Sequence, residues 1–211
     1  MIQRIFLDLD DTCNTLAMHV LYCAGCKVDP RDYTQHPAQF GYEVHRAANY
    51  LLGREKFAGN AQFWRTITRT NWAECPTSEI FPWVLHKAAR LVGRENVCLA
   101  TRPTDCPECA AGKLDWIHRV MPAWTHHQYA ITPCKHLLAR PGALLIDDHE
   151  DNIRRFENEG GHGALVPRPW NRLRQCDPFE AIEAQLENLS DSCGFTLSGL
   201  GGVDVVCVGA T

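Results

Sequence analysis

The sequence has no uninterrupted apolar run approaching the ~20 residues that a membrane-spanning helix needs. Its opening segment, Met-Ile-Gln-Arg-Ile-Phe-Leu-Asp, lacks a long apolar stretch ending in small residues, so a secretory signal is not expected. An excess of positive charge is also missing. The 21 Lys+Arg against 25 Asp+Glu give a formal charge of −4 and a pI near 6.2. That balance removes the case for a broadly basic nucleic-acid surface but leaves room for a local positive pocket and small anionic ligands. No internal repeat is visible. With 45% hydrophobic and 22% charged residues over 211 positions, disorder is not the default. The length allows one domain with a large insertion, or two small ones.

Cysteine, by contrast, is abundant. Eleven cysteines in a chain expected to be cytoplasmic are core residues, metal ligands or catalytic thiols before they are disulfides.

Short apolar runs alternate with amphipathic segments, the pattern of an α/β domain with a Rossmann-like parallel sheet flanked by helices. Five strands are expected at Arg4 to Leu7, Val97 to Ala100, Tyr129 to Thr132, Ala143 to Ile146 and Gly163 to Val166. Core helices are expected at Cys109 to Val120, with Leu114, Ile117 and Val120 on one side, at His149 to Glu159, and after the capping sequence Asp177-Pro178-Phe179-Glu180. Roughly 85 residues separate the first two strands, far more than one crossover helix requires. The expected organisation is a core of residues 1–13 and 94–189, an inserted helical subdomain over 14–93, and a Gly/Ser-rich tail over 190–211 forming a loosely attached strand or a mobile end. Helices in the insertion are expected at Tyr42 to Leu52, Asn60 to Asn71 and Glu79 to Val92.

The strongest chemical signal is the end of the first strand, Asp8-Leu9-Asp10-Asp11-Thr12. Side chains at i and i+2 of an extended segment point the same way, so Asp8 and Asp10 can face one site at the strand's C-terminal end, where α/β sheets bind ligands. Asp147-Asp148, with Glu150 and Asp151 behind, follows another apolar strand in the same manner. Carboxylates converging in this way repel one another unless a hard divalent ion with oxygen ligands, such as Mg²⁺, lies between them. The alternative for either cluster alone is a helix N-cap or a solvated turn. Thr101-Arg102 after the second strand and Thr132-Pro133-Cys134-Lys135 after the third add a hydroxyl, cations and a helix start, the parts that hold a phosphate.

In these residues the sequence resembles the haloacid dehalogenase superfamily of aspartate-nucleophile phosphatases, from Ile5 to about Asn171. Its four motifs occur in order at Asp8-Leu9-Asp10-Asp11-Thr12, Thr101, Lys135 and Asp147-Asp148. Phe63-Trp64 with Trp72, Gly112-Lys113-Leu114-Asp115-Trp116-Ile117 and Asp151-Asn152 look most like the 5′-nucleotidase branch that includes the 5′(3′)-deoxyribonucleotidases. The resemblance implies Asp8 as nucleophile, Asp10 as general acid and base, and Thr101, Arg102 and Lys135 as phosphate-binding groups. It implies Mg²⁺ held by Asp8, the Asp10 backbone carbonyl and Asp148, with Asp147 acting directly or through water. The insertion becomes a cap, and Phe40, Phe63, Trp64 and Trp72 are either its small apolar core or a stacking surface for a nucleobase. The implied activity is Mg²⁺-dependent hydrolysis of a nucleoside 5′-monophosphate, preferably a deoxyribonucleotide. The alternatives are another small phosphomonoester, a nucleic-acid terminal phosphate, or a non-catalytic binding protein on the same fold. The expected partner is a small phosphorylated molecule, with no membrane or long nucleic acid; a homodimer is compatible with the sequence.

Cys23-Ala-Gly-Cys26 and Cys106-Pro-Glu-Cys109 could jointly supply a zinc site, but about 80 residues separate the pairs, so free thiols are the expectation. Neither pair is expected to be thioredoxin-like, since neither is placed at the start of a helix after a matching strand. His126-His127 reads as a solvated loop; Arg168 is expected to reach a phosphate or a neighbouring loop, and Trp170 to pack.

Overall fold

The structure, a computed structural model, describes residues 1–192. The tail expected over 190–211 lies outside the described residues, apart from its first positions, which continue the last helix. Five strands, β1 (Arg4–Leu7), β2 (Val97–Thr101), β3 (Tyr129–Ile131), β4 (Ala143–Asp147) and β5 (His162–Leu165), form one parallel sheet in the order β3-β2-β1-β4-β5. Leu7 is in register with Leu99 and with Ile146, so the C-terminal ends of the three central strands open on one edge.

Period-two alternation divides the strand residues between two apolar layers. Ile5, Leu7, Leu99, Leu144 and Ile146 face one layer, and Phe6, Ala100 and Leu145 face the other. The first layer is packed by α5 (Trp83–Val92), α6 (Pro107–Val120) and α8 (Pro178–Ser192), the second by α7 (Glu150–Asn158) through Ile153 and Phe156. Asp177 caps α8, its carboxylate accepting the Phe179 and Glu180 amides at 2.9 and 3.1 Å.

Between β1 and α5 the chain forms α1 (Leu16–Cys23), α2 (Val44–Leu52), α3 (Asn60–Trp64) and α4 (Arg69–Ala73). It leaves and re-enters the core through two adjacent antiparallel segments, where Asn14 bridges Thr77 and the Thr15 amide donates to the Pro76 carbonyl at 3.0 Å. The single helix expected over Asn60 to Asn71 is two. Thr68 starts a new helix with a reciprocal capping box to Asn71, which interrupts the first. At the far end of the insertion, α5 packs on β1 and β2 and so belongs to the layer that covers the sheet.

Helix α6 begins at Pro107, two residues before the expected start, and its buried face is Cys109, Gly112, Lys113, Trp116 and Ile117. The expected stripe of Leu114, Ile117 and Val120 is therefore rotated; Leu114 and Val120 are only half-buried. Starting at Pro107 also places Cys106 at the N-cap, so Cys106-Pro-Glu-Cys109 does open a helix that follows a strand. Among the described residues, no helix is long and apolar enough to cross a membrane.

Candidate active site

A cavity of about 770 Å³ lies over the C-terminal edge of β1, β2 and β4, roofed by the insertion. Its floor carries Asp8, Asp10, Lys113, Lys135 and Asp148; Trp64 and Trp72 also line it, with the Lys113 ammonium 5.2 Å from the Trp72 ring centroid.

Asp8 follows the last residue of β1 and is almost wholly buried. Its Oδ1 accepts the Leu9 amide at 2.7 Å and the Lys135 ammonium at 2.6 Å, while no hydrogen bond from a described residue falls on Oδ2. Lys135 also donates to Asp147 Oδ2 at 2.7 Å, which ties the ends of β1 and β4 together. Burial pushes the Asp8 carboxyl up to about 8; Lys135 opposes the rise, and Asp147 and Asp10 add to it. Burial alone would depress Lys135, but Asp147 and Asp8 outweigh it and raise this ammonium above its ordinary value, so it stays charged.

Asp8, Asp147 and Asp148 each offer an oxygen within 4.8 Å of the others. Asp147 is the most encumbered of the three: the His149 amide, the Asn152 side-chain amide and Lys135 occupy both its oxygens. Among the described residues, the Asp148 carboxylate accepts only the Trp170 indole N–H, at 2.7 Å on Oδ2. Burial pushes Asp148 well above the usual carboxylate range, with Asp147, Asp11 and Asp8 adding repulsion. Three carboxylates with one ammonium leave 3 − 1 = 2 negative charges, the charge of one divalent cation. An all-oxygen donor set with unencumbered atoms on Asp8 and Asp148 fits a hard ion such as Mg²⁺. The Asp10 side chain stands outside this cluster, which leaves only its backbone carbonyl for the ion.

Asp10 faces the other side of the floor. Its Oδ2 pairs with Lys113 and accepts the Thr101 hydroxyl at 3.3 Å, and Lys113 also donates to Thr101 Oγ1 at 2.8 Å and to the Arg102 carbonyl at 2.5 Å. Thr101 is fully buried behind Asp10 and does not reach the cavity wall, whereas Lys113 does. Arg102 is exposed at the cavity rim and makes no ion pair among the described residues. Lys113 had no assigned role in the sequence reading. Its signal was a lysine four residues from both Cys109 and Ile117, on the helix face that those two residues bury.

Asp11 has φ of 52°, in the left-handed region, and turns the chain sharply after β1. Its carboxylate accepts the Ala17 amide at 2.9 Å and the Tyr33 hydroxyl at 2.8 Å. Arg168 is buried and donates to the Asp11 carbonyl and to Glu79, both at 2.6 Å, so it fastens the turn and does not line the cavity. Trp170 holds Asp148, and Tyr42 stacks on His149 with ring centroids 3.8 Å apart while donating to the Asp148 carbonyl at 3.1 Å.

Of the four aromatics singled out in the insertion, Trp64 and Trp72 line the cavity, stacked at 5.5 Å and 23°. Phe63 is fully buried against Phe57 and Trp64, and Phe40 packs on Tyr50; neither borders the cavity. Among the described residues, Cys23, Cys26, Cys106 and Cys109 form no group with metal-ligand spacing, and these four are free thiols. His127 is exposed, and His126 bonds the Met121 carbonyl.

Fold and site together define a doubly wound α/β protein with an acidic, lysine-bridged cleft at the sheet's C-terminal edge. No protein-family model matches the sequence, and no curated protein matches it significantly. Solved structures are similar in fold. One is a HAD family hydrolase from Deinococcus radiodurans R1 with bound phosphate and sodium, at 14% identity, 92% of this chain, 98% of that one and a TM-score of 0.49. Another is L-2-haloacid dehalogenase from Xanthobacter autotrophicus, at 12%, 91%, 88% and 0.47. A third is a HAD family enzyme from Bacteroides thetaiotaomicron in complex with magnesium and inorganic phosphate, at 11%, 84%, 100% and 0.40.

Proposed function

We infer that the protein is a Mg²⁺-dependent phosphomonoesterase that works through an aspartyl-phosphate, and that its substrate is a nucleoside 5′-monophosphate, preferably a deoxyribonucleotide. The observation that carries the reaction type is the convergence in one cavity of Asp8, Asp10, Lys113, Lys135 and Asp148. The Asp8 carboxylate attacks phosphorus, and the resulting acyl phosphate is then hydrolysed, which replaces one difficult displacement by two easier ones. Asp10 protonates the leaving alkoxide and afterwards takes a proton from the attacking water, help worth roughly 10²- to 10⁴-fold. Lys113 and Thr101 hold the Asp10 carboxylate in one orientation. Lys135 opposes the burial that raises Asp8, and Arg102 at the rim offers positive charge to the phosphoryl oxygens. Mg²⁺ at Asp8, Asp148 and the Asp10 carbonyl, with Asp147 behind, would neutralise charge on the transferring group.

The nucleotide half of the reading is supported by the stacked Trp64 and Trp72 that line the cavity. Base–aromatic stacking is worth ~1–3 kcal/mol per base. The cavity falls in the usual range for small-molecule sites. The deciding experiment is a panel of ribo- and deoxyribonucleoside monophosphates beside sugar phosphates. A preference for deoxyribonucleotides that weakens in Trp64→Ala is expected; a flat profile across sugar phosphates overturns the nucleotide assignment. Asp8→Asn should abolish turnover of a generic aryl phosphate with the fold retained, and more than a few per cent of residual activity removes Asp8 as nucleophile.

A further inference from the structure

Two cysteines beside the cleft take no part in this chemistry. Cys106, half-buried, is the N-cap of α6 and lines the cavity; Cys109 lies one turn into the helix and is fully buried. The Cys109 amide donates to the Cys106 carbonyl at 3.0 Å, closing the turn between them. Such a turn keeps the Cα atoms of its first and fourth residues within about 7 Å. A disulfide spans roughly 4.4–6.8 Å between Cα atoms, so the backbone already brings the pair to bonding range. Pro107 at the first helical position sacrifices no hydrogen bond, since the amide there has no helical acceptor. An accessible cysteine at a helix start after a strand, with a buried partner three residues on, is the arrangement of a Cys-x-x-Cys dithiol.

We propose that Cys106 and Cys109 are a redox-active dithiol at the edge of the cleft, closed reversibly to an intramolecular disulfide by a low-molecular-weight disulfide such as oxidised glutathione, and that closure lowers turnover. Access sets the order of events. The Cys106 thiolate attacks one sulfur of the oxidant, forming a mixed disulfide and expelling one thiolate. Cys109 then gives up its proton and attacks the Cys106 sulfur; the Cys106–Cys109 bond forms and the second small thiolate leaves. The protein loses two electrons and two protons, and the oxidant is reduced to two thiols.

The cleft feels this change through the loop that follows Thr101. Cys109 Sγ accepts the Thr104 amide at 3.4 Å, and Thr104 Oγ1 accepts the Cys106 amide at 3.3 Å, so both cysteines pin the Arg102–Asp105 segment of the cavity wall. Turning Cys109 Sγ towards Cys106 withdraws the first of these bonds. One turn further along α6, Lys113 holds the Arg102 carbonyl, the Thr101 hydroxyl and Asp10, so movement at the helix start is passed to Asp10.

The fall in turnover rests on the phosphatase reading, whereas the bond itself does not. The full chain is equilibrated with oxidised glutathione, its remaining thiols are alkylated, and the alkylated positions are mapped by mass spectrometry alongside turnover of p-nitrophenyl phosphate. Expected are two missing alkyl groups, at Cys106 and Cys109, and an about ten- to hundredfold loss of turnover, the size of a small misplacement of catalytic groups. Dithiothreitol should reverse both, and Cys106→Ser should keep its own turnover under the same oxidant. Full alkylation of both cysteines, a bond with unchanged turnover, or equal inhibition of Cys106→Ser overturns the proposal. A reduced protein with no phosphatase turnover counts against the phosphatase reading alone, and the alkylation map then decides the pair.

Discussion

The Lys113 ammonium on α6 is ion-paired with the Asp10 carboxylate, 103 positions earlier in the chain, and both groups touch the Thr101 hydroxyl. The lysine is buried and makes a single ion pair among the described residues, so it fixes which way the Asp10 oxygens point. Lys113→Met should therefore disable proton transfer more than phosphorus attack. A poor alkoxide leaving group needs the proton and a nitrophenolate does not. In Lys113→Met and Asp10→Asn alike, kcat/KM for an alkyl phosphate should fall by about 10²- to 10⁴-fold, and that for p-nitrophenyl phosphate far less. Equal losses on both substrates would place Asp10 outside the proton-transfer step.

The acidic cluster allows a stability test in which the sign changes with the ion. Asp148 is buried among Asp147, Asp11 and Asp8, which repel it. Without a divalent cation, Asp148→Asn removes that repulsion and keeps an amide oxygen for the Trp170 N–H, so the variant should be at least as stable as the parent at pH 8. With Mg²⁺ at a hundred times its Kd, the parent should gain about 2.7 kcal/mol and the variant much less. Urea unfolding with EDTA and with Mg²⁺ measures both signs, and EDTA should also inactivate the enzyme until Mg²⁺ is restored. A variant that gains as much from Mg²⁺ as the parent would remove Asp148 from the ion's donor set.

Gly112 lets α4 and α6 meet. A Cβ there would lie 2.4 Å from Trp72 Cβ and 2.6 Å from the Arg69 carbonyl oxygen, atoms on or next to the backbone that cannot rotate away. Gly112→Ala should destabilise the fold by about 1–3 kcal/mol and displace Trp72 from its place in the cavity lining. Because Trp72 lines the substrate wall while Asp8 and Asp10 sit on β1, KM should rise more than kcat falls. An unchanged denaturation midpoint would show that the two helices separate without cost.

The parts of the site that could be read from the sequence are those tied to strand ends. In a parallel sheet the C-terminal edge is common to every strand, so Asp8, Lys135 and Asp148 are brought to one place by topology alone. The groups that were missed depend on rotation and on loop packing. Lys113 turns inward because it stands four residues from both Cys109 and Ile117 on the buried face of α6, a face that also takes in Gly112 and Trp116 and so lies to one side of the expected Leu114, Ile117 and Val120 stripe. Phe63 and Trp64 are neighbours on one helix and point about 100° apart, so their identities alone do not say which faces the core and which the cavity. Trp170 and Tyr42 reach Asp148 from loops far away in sequence, and no local pattern marks them.

His36 is buried at the edge of the insertion, against the Trp170 ring at 4.9 Å, with neither ring nitrogen hydrogen-bonded to a described residue. Burial depresses its pKa from 6.5 to about 4. The unfolded chain therefore binds a proton at His36 that the folded chain refuses between these two values, and stability must fall as pH drops from about 6.5 towards 4. At one unit per 1.36 kcal/mol the full effect is up to roughly 3 kcal/mol, absent at pH 7 and complete below pH 4. His36→Phe keeps an aromatic ring against Trp170 and cannot be protonated. Carboxylates titrate in the same range in both proteins, so the difference between parent and variant isolates the histidine. Unfolding free energies measured from pH 7 to pH 4 should diverge steadily, with the variant losing less; parallel curves would mean that His36 takes up its proton without leaving its place beside Trp170.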